Sequence, residues 1–210
     1  GAAVTDWVGR IDGVGEDALL RGMSQKEMRQ WMKAHPGFRS FSVVRHPLRR
    51  AAEVFDRFIL PTDRPNYADP RRILRQRYKV PIPAKAPGPD WDASAHKAAL
   101  MAFLGVVVGN LAGQTSLRVD PAWASQTVIL QGMSGFCPPH HILRDEDDPA
   151  ILGEIARAAG VNDPPSYDAA PLGGRFPLDL LHDGKLERAA IEAYRKDYLS
   201  FGFDRLDKNG

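Results

Sequence analysis

Hydrophobic and polar positions in the first third of the chain predict a helix, a strand and a second helix. Apolar residues recur at helical spacing over residues 15–34. Ser24 followed by Glu27 has the pattern of a capping box, which indicates a break or a new helix start at Ser24. Residues 38–44 are β-branched and aromatic and predict a strand. Residues 48–60 place apolar side chains on one helical face and predict a helix directly after that strand.

The middle of the chain predicts two helices of different character and a short strand. Residues 69–79 predict a short, arginine-rich helix. Four prolines within residues 80–91 predict an extended loop, because proline cannot continue a helix or a central strand. Residues 93–111 are apolar on nearly every side and predict a buried core helix. Residues 141–144 predict a second short strand.

The last third of the chain predicts two more helices separated by a loop. Residues 147–159 predict a helix that begins with acidic residues, residues 162–176 form a loop rich in proline and glycine, and residues 183–199 predict the last helix. We find no internal repeat and no clear domain boundary. The sequence therefore predicts a single α/β domain over residues 1–210, helix-rich, with a small, mostly parallel sheet flanked by helices.

Composition fits a globular protein of a reducing compartment. The chain has 210 residues, of which 43% are hydrophobic and 26% charged, which argues against disorder. The longest apolar run, residues 98–108, is too short to cross a bilayer, so we expect no membrane span. The first residues lack a signal-peptide pattern, and Gly1 is interpreted as a processing or tag scar, with the natural start upstream. The single cysteine, Cys137, excludes an internal disulfide and favours a cytoplasmic location.

Charge is divided unevenly along the sequence. Residues 21–79 hold 15 Lys and Arg against five acids, a balance of +10, whereas residues 144–207 hold eight bases against 14 acids, a balance of −6. The basic part is compatible with phosphate, sulfate or nucleic-acid partners, and equally with attraction between the two parts of one fold. No nucleic-acid module is visible, so we regard nucleic acid as an unlikely partner.

The sequence supports neither a metal site nor a nucleophilic cysteine. Cys137 lies close to His140 and His141, but adjacent histidines on a strand face opposite ways and no partner cluster is present. We therefore expect no metal. The sequence offers no base to activate the thiol, so a packed cysteine is the simpler interpretation.

Three segments, in order, resemble the carbohydrate sulfotransferases, including the bacterial members related to nodulation sulfotransferases. The first is residues 41–55, FSVVRHPLRRAAEVF, which is similar to a strand–turn–helix element of the form F-x-V-R-D-P-x-x-R. The second is AWASQ at residues 122–126 with ILRDED at 142–147, similar to H-W-x-P-Q and a strand that ends in acidic residues. The third is IEAYRKDYLSFGF at residues 191–203, similar to Y-x-x-D-x-x-x-F-G-Y.

This resemblance implies a fold, a cofactor and two site residues. It implies the three-layer architecture of P-loop nucleotide hydrolases and transfer of a sulfuryl group from 3′-phosphoadenosine-5′-phosphosulfate to a carbohydrate hydroxyl. It also implies that Arg45 binds the 3′-phosphate of that donor. An arginine at the end of a strand and the start of a helix suits an anion, and Arg49 is the second candidate. The alternative is a purely structural role, in which Arg45 stabilises the turn by forming an ion pair with a carboxylate such as Glu53.

The chain departs from the family pattern at positions that bind the donor. The phosphate-binding serine of the family falls on Glu53, whose carboxylate repels a phosphate and is expected to pair with Arg49 or Arg57. Residues 20–24 match the family's 5′-phosphosulfate loop only weakly. The histidine of H-W-x-P-Q is Ala122, and we assign no catalytic residue.

These departures leave two functions open, with a nucleic-acid binder as a third whose ligands are Arg71, Arg72, Arg75, Arg77 and Lys79. One is a sulfotransferase, whose missing loop lies in residues upstream of this chain. The other is a non-catalytic sulfotransferase-like module that binds a polyanion, a saccharide, or a fused or associated upstream domain.

Overall fold

The structure is a computed structural model that describes residues 2–12, 19–145, 149–167 and 173–206. Packing divides the chain into two compact units. The first unit comprises residues 1–44 and 133–171, and the second comprises residues 45–132 and 172–210. The expectation of a single domain stays a prediction.

The first unit combines a small parallel sheet with three helices. Its helices are α1 (Ala2–Asp12), α2 (Gln25–Ala34) and α7 (Ala150–Ala158). Strand β1 (Phe41–Val44) pairs in parallel with β2 (His141–Arg144), so that Phe41 lies opposite His141 and Val44 opposite Arg144. Trp7, Leu152 and Ala156 form its buried core, and the Trp7 indole N–H donates to the Pro165 carbonyl at 2.8 Å.

The regular elements of the second unit, within its described residues, are all helical. Its elements are α3 (Pro47–Val54), a π-helical turn (Phe55–Ile59), a 3₁₀ turn (Pro65–Tyr67), α4 (Ala68–Gln76), α5 (Ala93–Leu111), α6 (Gln126–Met133), α8 (Leu178–Leu181) and α9 (Gly184–Phe201). Helix α9 packs against both α5 and α3. Large apolar side chains such as Phe55, Phe103 and Trp123 are almost completely buried between these helices.

Local sequence signals explain where several helices begin. The Ser24 hydroxyl accepts the Glu27 N–H and the Glu27 carboxylate accepts the Ser24 N–H, so the capping box is confirmed. Asp92 accepts the Ala95 N–H at 2.8 Å and begins α5, and Asp183 caps α9 in the same way.

The fold is a coarse α/β arrangement in which helices dominate. Helices hold 54% of the residues, and the sheet within the described residues has two parallel strands. The predicted elements at residues 93–111 and 141–144 are confirmed at their exact bounds.

Other element predictions are corrected. Of the helix predicted over residues 15–34, residues 25–34 are helical and residues 19–24 are not, because Ser24 is extended and Leu20 is 70% exposed, and the predicted new start at Ser24 is confirmed. Residues 13–18 lie outside the described residues, as do 146–148 at the predicted start of α7 and 168–172 in the predicted loop. The strand predicted over 38–44 spans only its last four residues.

Helix α5 has the length and apolar composition of a membrane span, which by itself is weak evidence for one. Core helices of folded proteins pass the same criterion, and Leu100, Phe103 and Leu104 of α5 are completely buried within the second unit. The expectations of no membrane span and of a cytoplasmic location stay predictions.

Candidate functional site

Arg45 is the first residue of the second unit, and its main chain is held by a distant glutamine. The Gln126 side-chain oxygen accepts the Arg45 N–H at 2.8 Å, and the Gln126 amide group donates to the Arg45 carbonyl, also at 2.8 Å. These two hydrogen bonds join residues that lie 81 positions apart. They fix the chain at the point where α3 begins, with Pro47 in its first turn.

A buried carboxylate fixes Gln126 in turn. Asp197 of α9 is completely buried and accepts three hydrogen bonds at the start of α6. The donors are the Ser125 hydroxyl at 2.6 Å, the Gln126 N–H at 2.9 Å and the Thr127 N–H at 2.9 Å. A carboxylate that receives the free N–H groups of a helix N-terminus is strongly stabilised there.

Two aromatic residues extend this network. The Tyr194 hydroxyl donates to the Trp123 carbonyl at 3.1 Å, and the Trp123 indole N–H donates to the Asn110 side-chain oxygen at 2.8 Å. Burial raises the pKa of Tyr194, so its hydroxyl keeps its proton. Within the second unit, the parts of the three sequence segments that hold Arg45, Ser125–Gln126 and Asp197 therefore meet in one hydrogen-bond network.

His46 packs into the same region and is a structural residue. Its ring is 1% exposed and lies edge-on to Tyr198 and Phe203, with ring centroids at 5.3 and 5.4 Å. Its Nε2 lies 2.9 Å from the Asp204 carbonyl oxygen. Tyr198 and Phe203, two aromatic residues of the third segment, thus cover His46, the residue that follows Arg45.

The Arg45 guanidinium forms an ion pair with Glu53, one of whose carboxylate oxygens it contacts. The other carboxylate oxygen of Glu53 contacts Arg57 at 3.3 Å. The predicted pairing of Glu53 with a neighbouring arginine of the helix is therefore confirmed for Arg57, and the alternative in which Glu53 pins Arg45 is the arrangement observed. Both Arg45 and Glu53 remain partly exposed, at 29% and 22% of their side chains.

Arg49 differs from Arg45 because no carboxylate of the described residues forms an ion pair with its guanidinium. It is exposed on the first turn of α3, and none of the hydrogen bonds or ion pairs among the described residues involves it. It lines a cavity of about 60 Å³ together with Glu53 and Asp56. Arg49 is therefore the better placed of the two predicted anion ligands, and the cofactor-binding roles of Arg45 and Arg49 stay predictions.

A buried Asp–His pair lies beside this cavity and was not foreseen from the sequence. The Asp56 and His96 side chains are 9% and 0% exposed, with Asp56 Oδ1 at 3.3 Å from His96 Nε2. Burial raises the pKa of Asp56 from 3.8 to about 6. Burial, with a smaller contribution from Arg175, lowers the pKa of His96 from 6.5 to about 4. A histidine in the first turn of an apolar helix was the available sequence signal.

These two pKa shifts act on stability in opposite directions. A carboxyl whose pKa is raised on folding loses stability as pH rises from about 4 to 6, whereas a histidine whose pKa is lowered gains stability between about 4 and 6.5. We expect Asp56→Asn to remove the first effect, so its free energy of unfolding rises with pH relative to wild type over pH 4.5–6. Urea unfolding at several pH values measures this difference.

The control for this experiment is Asp63→Asn, because the Asp63 side chain is 79% exposed. Its difference from wild type should not change over the same pH range. A difference between Asp56→Asn and wild type that stays constant, or falls as pH rises, would contradict the assignment.

The arginines in and just after α4 make structural contacts. Arg71 is 8% exposed and donates to the carbonyl oxygens of the proline-rich loop at residues 83–85. Arg72 pairs with Asp69 at 2.9 Å, and Arg77 donates to the Ser116 hydroxyl at 2.7 Å. Arg71 therefore serves to hold the loop against α4.

The described residues contain no group of three or more His, Cys, Asp or Glu side chains placed to hold a metal. Cys137 is buried, as predicted for a packed thiol. Glu146, the acidic residue that closes the second sequence segment, lies outside the described residues. Comparison with family models, with curated proteins and with solved structures finds no match for this chain.

Proposed function

We propose that this chain is a sulfotransferase-like protein that binds the 3′-phosphoadenosine-5′-phosphosulfate donor at the start of α3. The observation that carries this proposal is the network of Arg45, Gln126 and Asp197. Each of these residues comes from a different one of the three segments that resemble carbohydrate sulfotransferases. Segments that share an ancestral function are expected to meet in space, and unrelated matches have no reason to do so.

Arg49 is the proposed ligand of a phosphate group of the donor. Its guanidinium is exposed, has no acidic partner among the described residues and sits in the first turn of a helix, where the helix dipole favours an anion. A guanidinium binds phosphate through two parallel hydrogen bonds. Arg45 contributes less charge, because Glu53 neutralises it.

In an active enzyme, an acceptor hydroxyl of a carbohydrate attacks the sulfur atom of the donor. The new S–O bond forms as the bond between sulfur and the phosphate oxygen breaks, and that oxygen leaves with the electron pair on 3′-phosphoadenosine-5′-phosphate. The hydroxyl proton passes to a base. The protein supplies positioning and positive charge. The three-layer, P-loop-like architecture belongs to the same proposal.

The Arg45–Glu53 ion pair favours the second candidate, a non-catalytic sulfotransferase-like module. A carboxylate at the position of the family's serine, bound to the arginine that should hold the 3′-phosphate, lowers the affinity for that phosphate. In this case Arg49, together with the exposed Arg72 and Arg77 in and just after α4, binds a polyanion, a saccharide or an associated upstream domain.

Calorimetric titration with 3′-phosphoadenosine-5′-phosphate at low ionic strength separates the two candidates. The proposal predicts a dissociation constant of about 1–100 μM for wild type and a loss of at least ~10-fold in Arg49→Ala. Arg195→Ala is the matched control, because Arg195 is an exposed arginine on α9. Undetectable binding would overturn donor binding and favour the non-catalytic module, and equal binding by Arg49→Ala would exclude Arg49 as the ligand.

The variant Glu53→Gln tests whether the ion pair weakens binding. Loss of this carboxylate frees the guanidinium groups of Arg45 and Arg57. The affinity for the nucleotide should therefore rise by several-fold. Unchanged affinity would show that Arg45 does not face the bound phosphate.

A further inference from the structure

Three exposed cations lie where α4 and α5 end in the second unit. Arg77 follows the last residue of α4, and its guanidinium donates to the Ser116 hydroxyl at 2.7 Å across 39 positions of sequence. Lys79 comes two residues after Arg77, and Arg118 two residues after Ser116. All three cations are exposed. We call Arg77, Tyr78, Lys79, Ser116 and Arg118 the basic surface.

The chain segments that carry the basic surface contain no acidic residue. Residues 70–89 hold six Lys and Arg, residues 93–119 hold two, and neither range holds Asp or Glu. Of the acids next to these ranges, Asp69 forms an ion pair within α4, Asp92 caps the opposite end of α5, and Asp120 accepts a main-chain N–H at 2.8 Å. None of the ion pairs among the described residues involves a cation of the basic surface, so its charge is available to an anionic partner.

Lys79 adopts a backbone conformation that favours glycine. Its φ of 57° lies in the left-handed region, and among the described residues it is the only residue other than glycine with a positive φ. The chain reverses here because the Val80 N–H donates to the Leu74 carbonyl at 3.0 Å and the Val80 side chain is buried. A lysine at this position carries a steric cost that glycine lacks. A strained lysine where glycine would fit indicates a role for its ammonium group.

Tyr78 places a half-exposed aromatic ring beside these cations. Its hydroxyl oxygen accepts the Ser116 N–H at 3.0 Å, which fixes the ring, and the Arg77 guanidinium carbon lies 5.8 Å from the ring centroid. Such a ring suits a nucleobase, which stacks on it while neighbouring cations contact phosphates. A lipid-binding surface needs several exposed apolar side chains, and Val119 is the one large apolar residue exposed within residues 70–89 and 93–119.

We infer that the basic surface binds single-stranded nucleic acid, with its three cations on the phosphates and Tyr78 stacked on a base. The structure changes the ligand set that sequence alone suggests, because Arg71 is buried and holds a loop, whereas Arg118 joins the exposed cations. The inference goes beyond donor binding at the start of α3, since the two sites share no residue. It also gives the polyanion of the non-catalytic candidate a chemical identity.

Fluorescence anisotropy of a labelled oligothymidylate of about 20 nucleotides tests the inference. At about 50 mM NaCl we expect a dissociation constant of about 10–100 μM. Three phosphate contacts predict a slope of about −2 in a plot of log affinity against log salt, so about 200 mM NaCl should lower the affinity by ~20-fold. Tyr78→Leu should lower the affinity by ~5-fold or more without changing this slope, because it removes the stacking ring and no charge.

Lys79→Gly separates binding from structure, because glycine relieves the strained backbone and removes the charge. This variant should unfold at a higher urea concentration than wild type, yet bind the oligonucleotide ~3-fold or more weakly with a slope smaller by about 0.7. Lys79→Ala removes the charge and keeps the strain, so it should bind as weakly without the gain in stability. Lys196→Gln, at an exposed lysine of α9, should match wild type in both measurements.

Four results would overturn the inference. They are undetectable binding of the oligonucleotide, equal affinity for inorganic polyphosphate of the same charge, binding only to vesicles that contain phosphatidylserine, and unchanged affinity and slope in Lys79→Gly. Titration of the same samples with 3′-phosphoadenosine-5′-phosphate distinguishes this failure from failure of the proposed function. Lys79→Gly should bind that nucleotide as wild type does, whereas Arg49→Ala should not.

Discussion

Replacement of Asp197 by alanine is expected to lower the free energy of unfolding by about 3–5 kcal/mol. The substitution removes the acceptor of three hydrogen bonds and leaves the Ser125 hydroxyl and the Gln126 and Thr127 N–H groups buried without a partner. It also releases Gln126, which holds the main chain of Arg45. Urea unfolding followed by tryptophan fluorescence measures the loss, since Trp123 lies in the same network.

Two variants control for this result. Asp197→Asn keeps an acceptor oxygen for Ser125 and Thr127 but places an amide group against the Gln126 N–H, so an intermediate loss is expected. Asp179→Ala removes an exposed carboxylate and should change stability by less than about 0.5 kcal/mol. A loss below about 1 kcal/mol in Asp197→Ala would show that the network does not stabilise the second unit.

Trp123→Ala is expected to cost about 3–5 kcal/mol of stability. The indole is 1% exposed and packs edge-on to Phe103 at 6.1 Å between ring centroids. Removal of the indole leaves a large cavity, and the Asn110 side-chain oxygen loses the N–H group that donates to it. Thermal and urea unfolding of the variant measure the effect.

Trp123→Phe separates the two contributions, because phenylalanine keeps most of the volume and loses only the N–H donor. A loss of about 1–2 kcal/mol is expected for this variant. Leu199→Ala, at a side chain that is 74% exposed, should leave stability nearly unchanged. Equal losses for Trp123→Ala and Trp123→Phe would contradict the cavity argument.

The sequence predicted best the elements whose signals are local. Helix α5 has an N-terminal aspartate and a long apolar run, and the short strand β2 is bounded by turn residues, so both were placed at their observed bounds. The capping box at Ser24 was also recognised, because its two hydrogen bonds involve residues only three positions apart. By contrast, α1 and α6 carried no clear local signal and were not predicted.

The candidate site was only partly predictable, because its contacts join distant parts of the chain. The four-residue spacing along the helix predicted the pairing of Glu53 with Arg57. The sequence analysis also offered Glu53 as an alternative partner of Arg45. The hydrogen bonds between Gln126 and Arg45 span 81 positions, and no spacing rule predicts them. The proximity of Asp56 and His96 depends on the packing of α5 against the π-helical turn, which only the structure gives.

The most direct test of the account is to locate the bound nucleotide by NMR. With 3′-phosphoadenosine-5′-phosphate added to ¹⁵N-labelled protein, we expect the largest shifts at the Arg49 side-chain Nε–H and at the amides of the first turn of α3. Arg49→Ala should abolish them, and Arg195→Ala should preserve them. Shifts that are largest at Arg72 and Arg77, in and just after α4, or no shifts at all, would contradict the claim that the start of α3 binds the phosphates of a sulfuryl donor.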